Sequence, residues 1–222
     1  YAALTANTTG TSNTATGYYS LQSNTTGSGN TASGIRSLQE NTEGDYNTAF
    51  GNQSLKANTT GDYNTASGYM SLLSNTTGTR NIAIGVGALD APDTEDDNLA
   101  IGYDALGGNI NGGEQNVAIG NYSLDANTSG GYNVAVGYNS LSANSTGGSN
   151  TAVGTRALQE NTTGSKNMAS GNYALFSNTT GDYNTASGWG ALASNTTAGG
   201  NTASGYQALN SDTTGGYNTA FG

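Results

Sequence analysis

The chain contains no cysteine and no histidine, one proline, and only five lysines and arginines together. Each shortage closes off a class of function. Without thiolate or imidazole, the common nucleophile–base pairs and most zinc sites are excluded. Five basic residues against fifteen acidic ones leave a net charge of −10 and no basic stripe for nucleic acid or an anionic membrane. That acidity suits a long exposed surface kept in solution. No segment approaches the roughly 18 consecutive apolar residues of a membrane span, and none reads as a signal peptide. A phosphate loop of the G-x-x-x-x-G-K-[ST] form is also missing, and Gly85-Val86-Gly87 is no dinucleotide fingerprint. Hydrophobic residues make up 33 % of the chain, below the usual ~45–50 %. That composition alone would fit disorder.

What is present argues for order. Asn recurs at 13, 30, 47, 64, 81 and 98, then one residue late at 116, 133, 150, 167, 184, 201 and 218. A fixed period of 17 marks a solenoid, in which each repeat contacts mainly its neighbours. The whole chain, 1–222, therefore reads as one repeat domain of thirteen coils. Numbered from its Asn, position 3 is always Ala, position 5 always Gly, position 9 always Leu and position 8 always Ala or Ser. The coil 64–80 shows these columns as Asn64, Ala66, Gly68, Leu72 and the turn residue Asn75.

The pattern predicts an all-β fold, a parallel β-solenoid or β-roll. Positions 1–5 alternate as a short strand does. Positions 6–11 are expected to form a second extended segment carrying Leu. Positions 12–17 are turn chemistry, with Asn and Gly suited to positive φ. At ~4.8 Å per stacked coil, thirteen coils would extend about 60 Å. The Asn columns are expected to hydrogen-bond from coil to coil.

Positions 2 and 4 share a face opposite the Ala column and are mostly Thr or Ser. They turn apolar mid-chain: Ile82, Ile84, Leu99, Ile101, Val117, Ile119, Val134 and Val136. That stripe reads either as a locally thicker core or as a subunit interface. Regularity breaks at residues 90–97, where Asp90-Ala91-Pro92-Asp93-Thr94-Glu95-Asp96-Asp97 replaces the usual turn. The inserted residue follows near 112–115. Asp93, Glu95, Asp96 and Asp97 are a weak Ca²⁺ candidate without the ordered spacing of a calcium loop; a solvated loop is the plainer reading. No catalytic residue, cofactor or firm metal site emerges. Tyr69, Tyr103, Tyr138 and Trp189, all at position 6, are candidate glycan contacts, the alternative being ring stacking along the coils. Nine position-12 Asn residues begin N-x-[ST] sequons, a number the repeat itself explains.

The core N-[TIVL]-A-[SIV]-G, as in Asn81-Ile82-Ala83-Ile84-Gly85 and Asn116-Val117-Ala118-Ile119-Gly120, resembles the head repeats of YadA-like trimeric autotransporter adhesins. The longer unit is similar to repeats in phage tail fibres. This resemblance implies a left-handed roll, a homotrimer, and adhesion to a cell-surface receptor or glycan from an extracellular, cell-surface or virion location. The period of 17 departs from the shorter period of the adhesin heads. The expectation is thus a non-enzymatic structural and adhesive fibre segment. Two alternatives remain. The start and end fall in phase, Gly222 to Tyr1, as in a fragment of a longer repeat or a filament subunit joined head to tail. The Thr-Thr turns also fit an ice-binding solenoid.

Overall fold

The computed structural model describes residues 3–91 and 94–222. Pro92 and Asp93 of the irregular turn lie outside the described residues. Thirteen strands of three residues each occupy positions 2–4 of the coils, and the described residues contain no helix. The strands are parallel, so the all-β solenoid expected from the repeat is the observed fold.

Two compact units divide the chain, residues 1–111 and 112–222. The first holds β1 Thr14–Thr16, β2 Thr31–Ser33, β3 Thr48–Phe50, β4 Thr65–Ser67, β5 Ile82–Ile84 and β6 Leu99–Ile101. The second holds β7 Val117–Ile119, β8 Val134–Val136, β9 Thr151–Val153, β10 Met168–Ser170, β11 Thr185–Ser187, β12 Thr202–Ser204 and β13 Thr219–Phe221. Within each unit successive strands pair in chain order, each residue facing its counterpart 17 further on: Ala66 with Ala83, Ala135 with Ala152.

The core of each coil is thin because it is filled by few atoms. Ala66, Leu72, Asn64, Asn75 and Ser71 are all fully buried. Ser71 Oγ donates to the Gly68 carbonyl at 3.1 Å, which lets a hydroxyl stand where other coils have Ala. Full burial of a Leu stabilises by about 1.5–3 kcal/mol, and one Leu enters per coil. Gly68 has φ +142, and a Cβ there would run into the Gly85 carbonyl of the next coil. Both reasons for glycine hold at this position.

One expectation is corrected. Positions 6–11 form no second strand. Position 7 and position 9 both have positive φ, the latter in every coil: Leu55 +51°, Leu72 +50°, Leu141 +51°. Left-handed conformation alternating with ordinary backbone makes this segment curl where a strand would run straight. It still bonds coil to coil, as Leu72 N–H to the Ala88 carbonyl at 3.0 Å and Met70 N–H back to the Asn52 carbonyl at 3.1 Å.

The Asn columns close and join the coils. Asn64 Nδ2 donates to the Gly78 carbonyl of its own coil at 2.8 Å, and its Oδ1 accepts the Asn81 N–H at 2.9 Å. Position 12 forms a side-chain ladder: Asn58 to Asn41 at 2.7 Å and Asn75 to Asn58 at 2.8 Å in the first unit. Asn161 to Asn144 at 2.8 Å and Asn195 to Asn178 at 2.8 Å continue the motif in the second. The second ladder ends at Asn195, whose buried Oδ1 meets no donor because Asp212 stands at the next rung.

Candidate functional site

The side chains of positions 2 and 4 point outward from the buried Ala column. In the first unit Ile82 and Ile84 are 39 % and 42 % exposed, and Leu99 and Ile101 are half-buried. In the second, Val117, Ile119, Val134 and Val136 are half-buried and Val153 is exposed. A thicker internal core is therefore not their role, and that reading of the stripe is corrected. The strand has only one inward residue per coil, and Ala takes it.

The irregular turn directs its carboxylates to neighbours. Asp97 Oδ1 accepts from Arg80 Nε at 2.6 Å, and Asp96 Oδ1 accepts from the Thr79 N–H at 2.7 Å. The hydrogen bond from Arg80 holds the Asp97 carboxyl below its usual range. Glu95 is nearly buried at position 15, where its carbonyl takes the Asn81 amide at 2.8 Å, as a glycine carbonyl does elsewhere. Asp93, the remaining Ca²⁺ candidate, lies outside the described residues. Among the described residues no three acidic side chains converge to hold a metal.

The Thr-Thr turns divide their labour. Thr59 Oγ1 donates to the Thr76 carbonyl at 3.0 Å and Thr179 Oγ1 to the Thr196 carbonyl at 3.0 Å. In these pairs the first Thr bonds to the next coil, and the second, Thr60 or Thr180, is exposed.

Tyr69, Tyr103, Tyr138 and Trp189 are all exposed, between 44 % and 46 %. Tyr138 and Trp189 each stand in a cleft. Tyr138 meets Tyr122 of the preceding coil edge-on, with centroids 6.2 Å apart and planes at 84°. Asp125, Asn139 and Ser142 complete a cleft of about 580 Å³. Trp189 meets Tyr173 at 6.0 Å and 57°, beside Phe176, Gly190, Ala193 and Asn210 in a cleft of about 340 Å³. On Trp189's coil-to-coil axis Tyr206 stacks at 5.2 Å and 15°. Position-17 rings also stack, Tyr46 on Tyr63 at 5.2 Å and 10°.

The two clefts are one construction used twice. Each joins a position-7 ring to the position-6 ring of the next coil, 16 residues later, and Tyr122/Tyr138 lies 51 residues before Tyr173/Trp189. Column reading at position 6 alone overlooks Tyr122, Tyr173 and Phe176. An aromatic pair at a spacing of 16 is the signal that finds Tyr122 and Tyr173, and it occurs at these two places only; Phe176 has no such partner.

Compared with protein-family models, curated proteins and solved structures, the chain matches none.

Proposed function

We propose that this chain is a non-enzymatic fibre segment, homotrimeric, that attaches a cell surface or virion tail to another surface. The observation that carries the reading is the outward apolar strand face. Ile82 and Ile84 in the first unit and Val153 in the second stand exposed on a single copy. Exposed apolar columns repeated at a fixed interval suit side-by-side packing of identical chains. The N-x-A-x-G resemblance supports the same assembly and gives it a left-handed roll. The lack of His and Cys supports a binding role over catalysis. Attachment would come from many weak contacts along outward columns of Tyr, Thr and Trp189.

Light scattering over a dilution series tests the reading. A mass three times 22.2 kDa, unchanged on dilution, is expected. A monomer at all concentrations removes the trimer. Growth that rises without limit with concentration points to a head-to-tail filament.

A further inference from the structure

We propose that the aromatic corners Tyr122/Tyr138 and Tyr173/Trp189 form a paired binding site for a neutral oligosaccharide. The proposal deepens the attachment reading and rests on it for its use. The first corner sets two rings at 84°, a floor and a wall. A pyranose presents C–H groups on its faces and hydroxyls on its rim. The negative face of an aromatic ring receives the C–H groups, and polar side chains at the edge receive the hydroxyls. Asp125, Asn139 and Ser142 supply a carboxylate, an amide and a hydroxyl there.

The second corner is the apolar version of the first. Phe176 stands where Asp125 stood, Ala193 where Ser142 stood and Gly190 where Asn139 stood. Gly190 has φ +63, and its Cα lies beside Asn210 and Gln207 of the next coil. Its carbonyl accepts from Asn210 Nδ2 at 3.0 Å, which fixes an amide at the cleft's edge. Three coils separate the corners, roughly 14 Å at ~4.8 Å per coil. That span exceeds a single pyranose and suits a chain of several. A ligand touching both corners gains from linkage between them.

Charge selects the neutral class. The chain carries −10 and the first corner contains Asp125, so an anionic glycan meets repulsion. An apolar peptide is the poorer occupant, because the polar lining of the first corner breaks any continuous greasy track.

Trp189 is the only tryptophan, so intrinsic fluorescence reports on the second corner alone. The probes are maltohexaose, cellohexaose and mannohexaose, with hexagalacturonate as the anionic control and an amphipathic peptide as the apolar one. Saturable change in Trp emission with at least one neutral hexasaccharide, at up to roughly 10 mM, is expected. Tyr138→Ala keeps the fluorophore and weakens that binding about tenfold. Trp189→Phe retains binding and Trp189→Ala loses it, both followed by calorimetry. Both sites are exposed, and circular dichroism confirms the fold of each variant. No response to any neutral hexasaccharide overturns the proposal. So does equal or tighter binding of hexagalacturonate or of the peptide. Cell attachment that persists in Trp189→Ala/Tyr138→Ala overturns the site and leaves the attachment reading standing; no attachment by the wild type, with saccharide bound, does the reverse.

Discussion

At the scale of single residues, the least expected feature is leucine in a left-handed conformation once per coil. Such backbone costs an L-residue roughly 1–2 kcal/mol. Burial outweighs it: Leu141 has φ +51, is fully buried, and donates its N–H to the Ala157 carbonyl at 3.0 Å. The periodic Leu, Ala, Gly and Asn columns are legible in the sequence because recurrence exposes them. The sign of φ at Leu141 is not, because Leu carries no turn signature. A prediction follows from the two opposed terms. Leu141→Ala should lose about 2–5 kcal/mol of stability in urea unfolding. Glycine is ordinarily worse than Ala by about 0.5–1 kcal/mol, but at positive φ that order reverses. Leu141→Gly should therefore be at least as stable as Leu141→Ala; a clear deficit would mean that φ is not positive in solution. The ladder residue Asn161 gives a second test. Its Nδ2 donates to Asn144 Oδ1 at 2.8 Å and to the Gly164 carbonyl at 2.9 Å, fully buried. Asn161→Asp would turn a carboxylate towards two acceptors. Burial and those acceptors raise the new carboxyl's pKa in the folded state. The folded chain then binds the proton more tightly than the unfolded one, so stability should fall as pH rises from about 4 towards the raised value. A urea midpoint that does not change between pH 4 and 7 would contradict the ladder.

At the scale of elements, the three-residue strand is legible from N-x-A-x-G, but its companion segment is not. Positions 6–11 hold Leu and small residues that also fit an extended run, and only inter-coil packing decides between them. The irregular turn 90–97 is legible as irregular, since it loses the Asn and Gly of its neighbours. Its anchoring is tertiary. Arg80, at position 17 of the previous coil, reaches Asp97 at 2.6 Å and Asp96 at 3.3 Å. Arg80 and Asp97 are part-exposed, so their pairing should add little to global stability. Its local signature should be plain. Asp97 is held below its ordinary pKa, so the pairing contributes above that ordinary value and is lost as pH falls through the folded one. In Arg80→Ala, the Asp97 carboxyl should titrate back near about 4, read by carbon NMR, with the unfolding midpoint almost unmoved. An unchanged Asp97 titration would show that the pair does not persist in solution.

At the scale of the whole molecule, the question is what the outward strand face meets. A solenoid with one inward residue per strand leaves positions 2 and 4 free to serve solubility or assembly. In β4 they are Thr65 and Ser67; in β5 and β8 they are Ile82 with Ile84 and Val134 with Val136. The repeat thus supplies its own control. Ile82→Thr, Ile84→Ser, Val134→Thr and Val136→Ser place on these strands the residues β4 already tolerates. On an outward face each change should alter the unfolding of a single copy by no more than about 0.5 kcal/mol. An inward face would lose several times more, through cavities. If this face carries the proposed trimer contact, the combined variant should keep its circular dichroism while its scattering mass falls from three chains to one. Retained mass with intact fold would place the contact elsewhere. The aromatic corners lie on a different segment of the coil, positions 6–10, from the strand face at positions 2–4. Saccharide binding by the dissociated variant should therefore survive at each corner, and only the gain from presenting three copies together should vanish. Surface binding to immobilised hexasaccharide, compared with binding to the same sugar free in solution, separates those two quantities. If the free-solution affinity falls together with the mass, the corners are completed by a neighbouring chain, and the assembly itself is the binding unit.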